Sequence, residues 1–138
     1  MMSASNECCY VPDWSVPPRV HCLITTRRGG VSQPPYESLN LGMHVGDDPN
    51  AVADNRRLLA AALPGEPCWL DQVHGTTVFE VTAERSAATP VADAAFSRES
   101  RQVCVVMTAD CLPVLFCDRA ATVVAVAHAG WRGLQAGV

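Results

Sequence analysis

A chain of 138 residues, 49% hydrophobic and 17% charged, holds enough apolar material for one packed domain and is neither disordered, collagenous nor fibrous. All ten basic residues are Arg, against fourteen Asp and Glu, for a formal charge of -4. That balance lacks the clustered positive field that nucleic acid or an anionic membrane surface needs, so neither is expected as a partner.

Residues 1–18 hold Pro12, Pro17, Pro18 and the Cys8-Cys9 pair without periodicity and read as an extended lead-in to a single domain covering 1–138. Residues 20–26 are short and rich in β-branched side chains, and Gly29-Gly30 closes them, which predicts a strand and a turn. A polar, Pro-containing loop over 32–50 follows. Val52, Asn55, Leu59 and Ala62 then recur at helical spacing behind Asp48-Pro49-Asn50, which predicts a helix over 51–63 that stops at Pro64-Gly65. Two strands are expected at 68–73 and 76–82, with His74-Gly75 at the bend between them and an Ala-rich polar loop running to Ala92. The continuous apolar runs at 102–107, 113–117 and 121–127 fit buried strands covered on both faces, so the expected fold class is α/β. Residues 134–138 read as the first turn of a helix without a body: either the chain is cut inside an element, as a fragment lacking its C-terminal part would be, or the last turn frays.

No basic segment followed by an apolar one opens the chain. The longest apolar runs, 103–107, 112–117 and 123–127, are far too short to span a bilayer. Seven cysteines, an odd number without the spacing of a disulfide scaffold, read as thiols in a reducing cytoplasm.

Three side chains of metal-binding character stand at strand ends beside Gly or small residues: His74, Cys111 and His128. Two imidazoles and a thiolate suit a borderline-soft divalent ion and leave a fourth position for water, as catalytic zinc requires. Their gaps of 37 and 17 residues match no local zinc signature, and a buried thiol with two structural histidines is the plainer alternative. The turn at Gly130-Trp131-Arg132-Gly133 offers backbone N–H groups and a guanidinium for an anion such as phosphate. An ordinary turn with Trp131 packed beneath and Arg132 in solvent is its alternative. Arg27, between a strand and Gly29-Gly30, carries the same pair of readings. Arg56-Arg57 reads as a solvated helix face, and Cys8, Cys9, Cys68, Cys104 and Cys117 read as packing residues.

A longer set of segments resembles one known family. They are Thr25-Thr26-Arg27 with Gly29-Gly30-Val31-Ser32, Tyr36, Ser38-Leu39-Asn40-Leu41-Gly42 with His44-Val45-Gly46-Asp47, Asn55-Arg56 and Gln72-Val73-His74-Gly75. In the same order follow Asp93-Ala94, Thr108-Ala109-Asp110-Cys111 with Pro113-Val114, and His128-Ala129-Gly130-Trp131-Arg132-Gly133. Together, from about Leu23 to the last residue, they resemble the YfiH family, also labelled laccase-domain, polyphenol oxidase or peptidoglycan editing factor.

The resemblance implies layered mixed β-sheets flanked by helices, similar to the cytotoxic necrotizing factor catalytic domain. It implies zinc, with copper less expected, held by His74, Cys111 and His128. The implied activities are purine nucleoside phosphorolysis, on adenosine, inosine, guanosine and methylthioadenosine, and adenosine deamination. Some bacterial members are linked instead to correcting peptidoglycan precursors. The expected partners are then a purine nucleoside and inorganic phosphate, with Arg27, Asn40, His44 and Arg132 as substrate- or phosphate-binding residues and Asp110 as a ligand-orienting or proton-shuttling group. For deamination a metal would lower the pKa of water for attack at the purine C6; for phosphorolysis phosphate would attack the ribose anomeric carbon. Family chains continue well past the last of these segments. The alternatives are a metal-free cysteine hydrolase with Cys111 as nucleophile and His128 or His74 as base, and a non-catalytic binding fragment. A multicopper oxidase is rejected because His21, His44, His74 and His128 are too few for its copper centres.

Overall fold

The structure, a computed structural model, describes residues 8–138, so the first seven residues of the expected lead-in lie outside the described residues. The rest of the lead-in contains a short strand, β1 (Cys9–Tyr10), which pairs antiparallel with β2 (Ile24–Thr25). A two-residue strand leaves no alternation to read, and only a partner fourteen residues away in sequence defines it. The strand expected over 20–26 is therefore cut to β2, and Val20 closes a turn on the Pro17 carbonyl at 2.9 Å instead.

The expected helix is α1 (Pro49–Ala60). Its start signal works as the chemistry requires: the Asp48 side chain accepts from the Asn50 amide at 2.9 Å, and Pro49 occupies the first turn, where a missing N–H costs nothing. It ends three residues before 63 because Ala62 and Leu63 donate to Leu59 and Ala60, tightening the last turn. Val52 and Asn55 are its buried positions. Residues 8–15 and His21–Leu63 form one compact unit.

Val16–Val20 and Pro64–Val138 form the other. Its strands are β3 (Pro67–Cys68), β4 (Val78–Glu80), β5 (Ala94–Ser97), β6 (Val103–Cys104), β7 (Leu112–Cys117) and β8 (Val124–Ala129), followed by α2 (Trp131–Ala136). β3 and β6 pair in parallel, and a four-stranded sheet runs β4-β5-β8-β7. β4 lies parallel to β5 while β5, β8 and β7 are antiparallel, so the architecture is α/β with mixed sheets. The core gathers Cys68, Leu70, Val81, Ala92, Ala95 and Val126.

Several expectations are corrected here. β5 falls where the Ala-rich loop gives way, and its Ala94-Ala95 start has weak strand propensity. It is nonetheless the buried centre of the sheet, since small side chains let neighbours pack closely. The strands expected at 68–73, 76–82 and 102–107 shorten to β3, β4 and β6. The one expected at 121–127 starts at Val124, because Ala121 has φ 55 and the Asp118 carboxylate gathers the Thr122 and Val123 amides into a turn. β7 is not covered on both faces: it is an edge strand, and its Leu112 and Phe116 are more than half exposed. α2 begins at Trp131 rather than Leu134, and Gly137, at φ 99, turns back its N–H to the Gly133 carbonyl. No helix among the described residues is long and apolar enough to cross a membrane.

Candidate metal centre

His74, Cys111 and His128 come from three segments of the second unit. His128 is the fifth residue of β8 and is buried; Cys111 immediately precedes β7; His74 lies in the loop between β3 and β4. Pairing of Leu112 with Ala129 and Pro113 with His128 sets Cys111 beside the end of β8. One potential ligand atom from each residue lies within 4.8 Å of the others, and this is the one group of its kind among the described residues. The two imidazoles meet edge to face, with centroids 4.7 Å apart and planes at 65°. Tetrahedral zinc with bonds of roughly 2.0–2.3 Å holds its ligands roughly 3.3–3.7 Å apart. The Cys111 Sγ to His74 Nε2 distance of 3.8 Å is close to that spacing, and an N, N, S donor set fits a borderline-soft ion.

Gly130 makes the cluster possible. A Cβ there would stand 2.8 Å from Cys111 Sγ and 3.3 Å from His74 Cδ2, so the absence of a side chain is a matter of room.

Asp93 holds the cluster from behind. Its carboxylate is fully buried at 0% exposure. It accepts from the amides of Val73, His74 and Gly75 at 3.1, 2.8 and 2.8 Å, and from His128 Nδ1 at 2.9 Å. Three successive amides converging on one anion require a left-handed residue among them, and His74 supplies it at φ 58. For a residue with a Cβ that conformation costs about 1–2 kcal/mol, which the carboxylate offsets. Burial pushes the Asp93 carboxyl upward, but the His128 ring and the three amides outweigh it and hold it below the usual value. An ionised carboxylate only accepts, so His128 Nδ1 is the donor in this pair and Asp93 leaves Nε2 untouched. Gln72 adds a second brace, its amide donating to the Met107 carbonyl at 2.8 Å and accepting from the Met107 amide at 2.7 Å.

Asp93 is not among the residues that the sequence singles out as candidates for the site. A signal was present in the segment Asp93-Ala94, but its meaning depends on the pairing of β5 with β8, which sets it opposite His128.

The other expected residues are varied in setting. Asp110 is exposed, with its Oδ1 3.8 Å from Cys111 Sγ. Burial first, then the Asp110 and Asp93 carboxylates, raise the Cys111 thiol above its usual value. Arg132 is exposed and stacks its guanidinium 5.3 Å from the Trp131 ring centroid. Trp131 is not packed beneath the turn but 71% exposed. Arg27, Asn40 and His44 belong to the first unit. Arg27 Nε donates to the Glu37 carbonyl at 2.8 Å, Asn40 folds its own loop through Gly42 and Asp47, and His44 is exposed. All seven cysteines are free thiols.

Residues 21–138 match a family model described as multi-copper polyphenol oxidoreductase laccase. The chain is 59% identical over 127 residues to a purine nucleoside phosphorylase of Pseudomonas aeruginosa, covering 92% of this chain and 51% of that protein. It is 58% identical over 130 residues to the purine nucleoside phosphorylase YfiH of Escherichia coli, covering 93% and 53%. Among solved structures, a Neisseria meningitidis protein of the DUF152 family superposes with a TM-score of 0.86 at 54% identity, covering 94% of this chain and 53% of that one. A Bacillus licheniformis hypothetical protein YfiH does so with a TM-score of 0.73 at 32% identity, over 82% and 46%. The chain spans about half the length of the curated relatives it matches.

Proposed function

Because this chain belongs to the multi-copper polyphenol oxidoreductase laccase family, whose YfiH members it resembles throughout, we propose that it is a zinc-dependent purine nucleoside phosphorylase. The observation that carries the metal reading is the convergence of His74, Cys111 and His128 within 4.8 Å. The names of the relatives supply the substrate class, a purine nucleoside with inorganic phosphate. The same residues support adenosine deamination as a second activity, and the seven free thiols support a cytoplasmic location.

His74, Cys111 and His128 would hold the ion. When bound, a divalent cation supplies Lewis acidity and a positive charge that counters the carboxylates raising the Cys111 thiol. We assign Arg132, which lies in the same unit as the cluster, to the phosphate, a role that suits the forked geometry of guanidinium donors. In phosphorolysis a phosphate oxygen bonds to the ribose anomeric carbon as the glycosidic bond breaks and its electron pair leaves with the purine. Asp110, beside Cys111 and open to solvent, is assigned to exchange the proton that the leaving base requires.

The test is incubation of the zinc-loaded chain with inosine and phosphate, following free base and ribose 1-phosphate. Release should depend on phosphate and vanish with a chelator or in Cys111→Ser. Release that ignores chelation, or no turnover at stoichiometric zinc, overturns the reading. Adenosine offered without phosphate tests the deaminase, through formation of inosine.

One observation favours a second reading: Cys111 Sγ lies 3.8 Å from His74 Nε2, the pairing a cysteine hydrolase would use. Against it, burial and two carboxylates raise the thiol, whereas a free nucleophile needs it lowered. Iodoacetamide distinguishes the two. A metal-held thiolate resists alkylation until a chelator is added, and a free nucleophile reacts at once.

A further inference from the structure

We infer that Asp93 is the positioning residue of the centre, one carboxylate that sets both the tautomer of His128 and the left-handed backbone of His74. The inference rests on reading His74, Cys111 and His128 as a metal centre. Each Asp93 oxygen receives two donors: Oδ1 takes His128 Nδ1 at 2.9 Å and the His74 amide at 2.8 Å, and Oδ2 takes the Val73 and Gly75 amides at 3.1 and 2.8 Å. That saturates the acceptor capacity of a carboxylate, so no further group competes for it. The two effects meet in one purpose. The bond to Nδ1 directs the His128 lone pair to Nε2, and the bonds to three amides hold His74 where its ring meets that of His128, at 4.7 Å between centroids. Two of three donors thus take their orientation from a side chain that is not itself a donor to the ion, and such partners typically govern metal affinity by about 10–100-fold.

The test uses Asp93→Asn, which keeps the shape but turns an NH2 group toward N–H donors. Zinc affinity is read by competition with a chromophoric chelator, and the His128 tautomer by 15N chemical shifts of labelled histidine in the metal-free protein. In the unmutated chain His128 should be protonated at Nδ1, a measurement that needs no variant to fold. Asp93→Asn should bind zinc about 10–100-fold more weakly and move the proton toward Nε2. Val81→Ala, a loss from the core of the same unit, should lower stability while leaving the tautomer alone. A His128 proton already on Nε2 in the unmutated chain overturns the inference, as does zinc affinity in Asp93→Asn within threefold of the parent. If the parent itself takes up no zinc, the metal reading falls and this inference with it; if the parent binds and Asp93→Asn binds equally, only the inference falls.

Discussion

Asn55 and Asp93 are both fully buried, one in each unit, and each holds a loop through hydrogen bonds to its backbone, yet they do so with opposite chemistry. Asn55 Nδ2 donates to Ser32 Oγ, Ser38 O and Asn40 O, while its Oδ1 accepts from the Val31 amide at 2.8 Å. A neutral amide suits a loop that offers carbonyls and an amide together. Asp93 meets donors only, three amides and an imidazole, and an anion suits that place. The neutral hub is exhausted by the loop it folds. The charged hub engages one nitrogen of the His128 ring and leaves the other untouched, and so braces a candidate site as well as a loop.

Removing the charged hub is the most damaging way to break this contrast. Asp93→Ala leaves the buried His128 imidazole and three part-buried amides without their acceptor and should lower the unfolding free energy by about 3–5 kcal/mol in urea titrations followed by circular dichroism. A loss below about 1 kcal/mol would mean that water takes over the role. Asn55→Ala should cost less, about 2–3 kcal/mol, and should speed hydrogen exchange at the Val31 amide. Asn55→Asp sharpens the point: the same shape without donors should do no better than alanine. If it retains parental stability, the donors of Asn55 are not what holds the loop.

Gly130→Ala probes room rather than charge. Its Cβ at 2.8 Å from Cys111 Sγ should spread the cluster and weaken zinc binding by roughly tenfold with the fold retained, and unchanged affinity would show that the Cys111 segment yields freely. The smallest effect concerns Asp47. Hydrogen bonds from Ser32, then Asn40, outweigh burial and hold its carboxyl below the ordinary value. The stability it contributes is therefore present above the unfolded-chain value of about 3.9 and is lost as pH falls through the lower folded value. Ser32→Ala should move the Asp47 midpoint upward in a carboxyl NMR titration, and an unmoved midpoint would take the cause away from Ser32.

What could be read from the sequence was local. Asp48-Pro49-Asn50 carries its own chemistry for starting α1, and the apolar runs of β7 and β8 announce themselves. β5 did not, because alanines favour no strand and its burial is decided by β8 alongside it. The three candidate ligands stood out through their residue types and through the ordered segments shared with the YfiH family; gaps of 37 and 17 residues contributed nothing. Asp93 stands among those shared segments, yet its role is not legible there for a physical reason. Its role arises from a register between strands some thirty residues apart, which no local pattern encodes.

The register between β8 and β7 also decides what the outer side of the sheet can accept. His128 sends its amide to the Asp93 carbonyl at 2.7 Å, toward β5, so its pairing with Pro113 is the non-hydrogen-bonded kind. The backbone nitrogen of Pro113 therefore points away from β8, to the open margin of β7, where a ring replaces the N–H. Any strand that aligns along that margin must forgo one rung at Pro113. A single imino acid, two residues from a candidate ligand, thus takes one donor away from the margin of β7, the strand that carries the exposed Leu112 and Phe116.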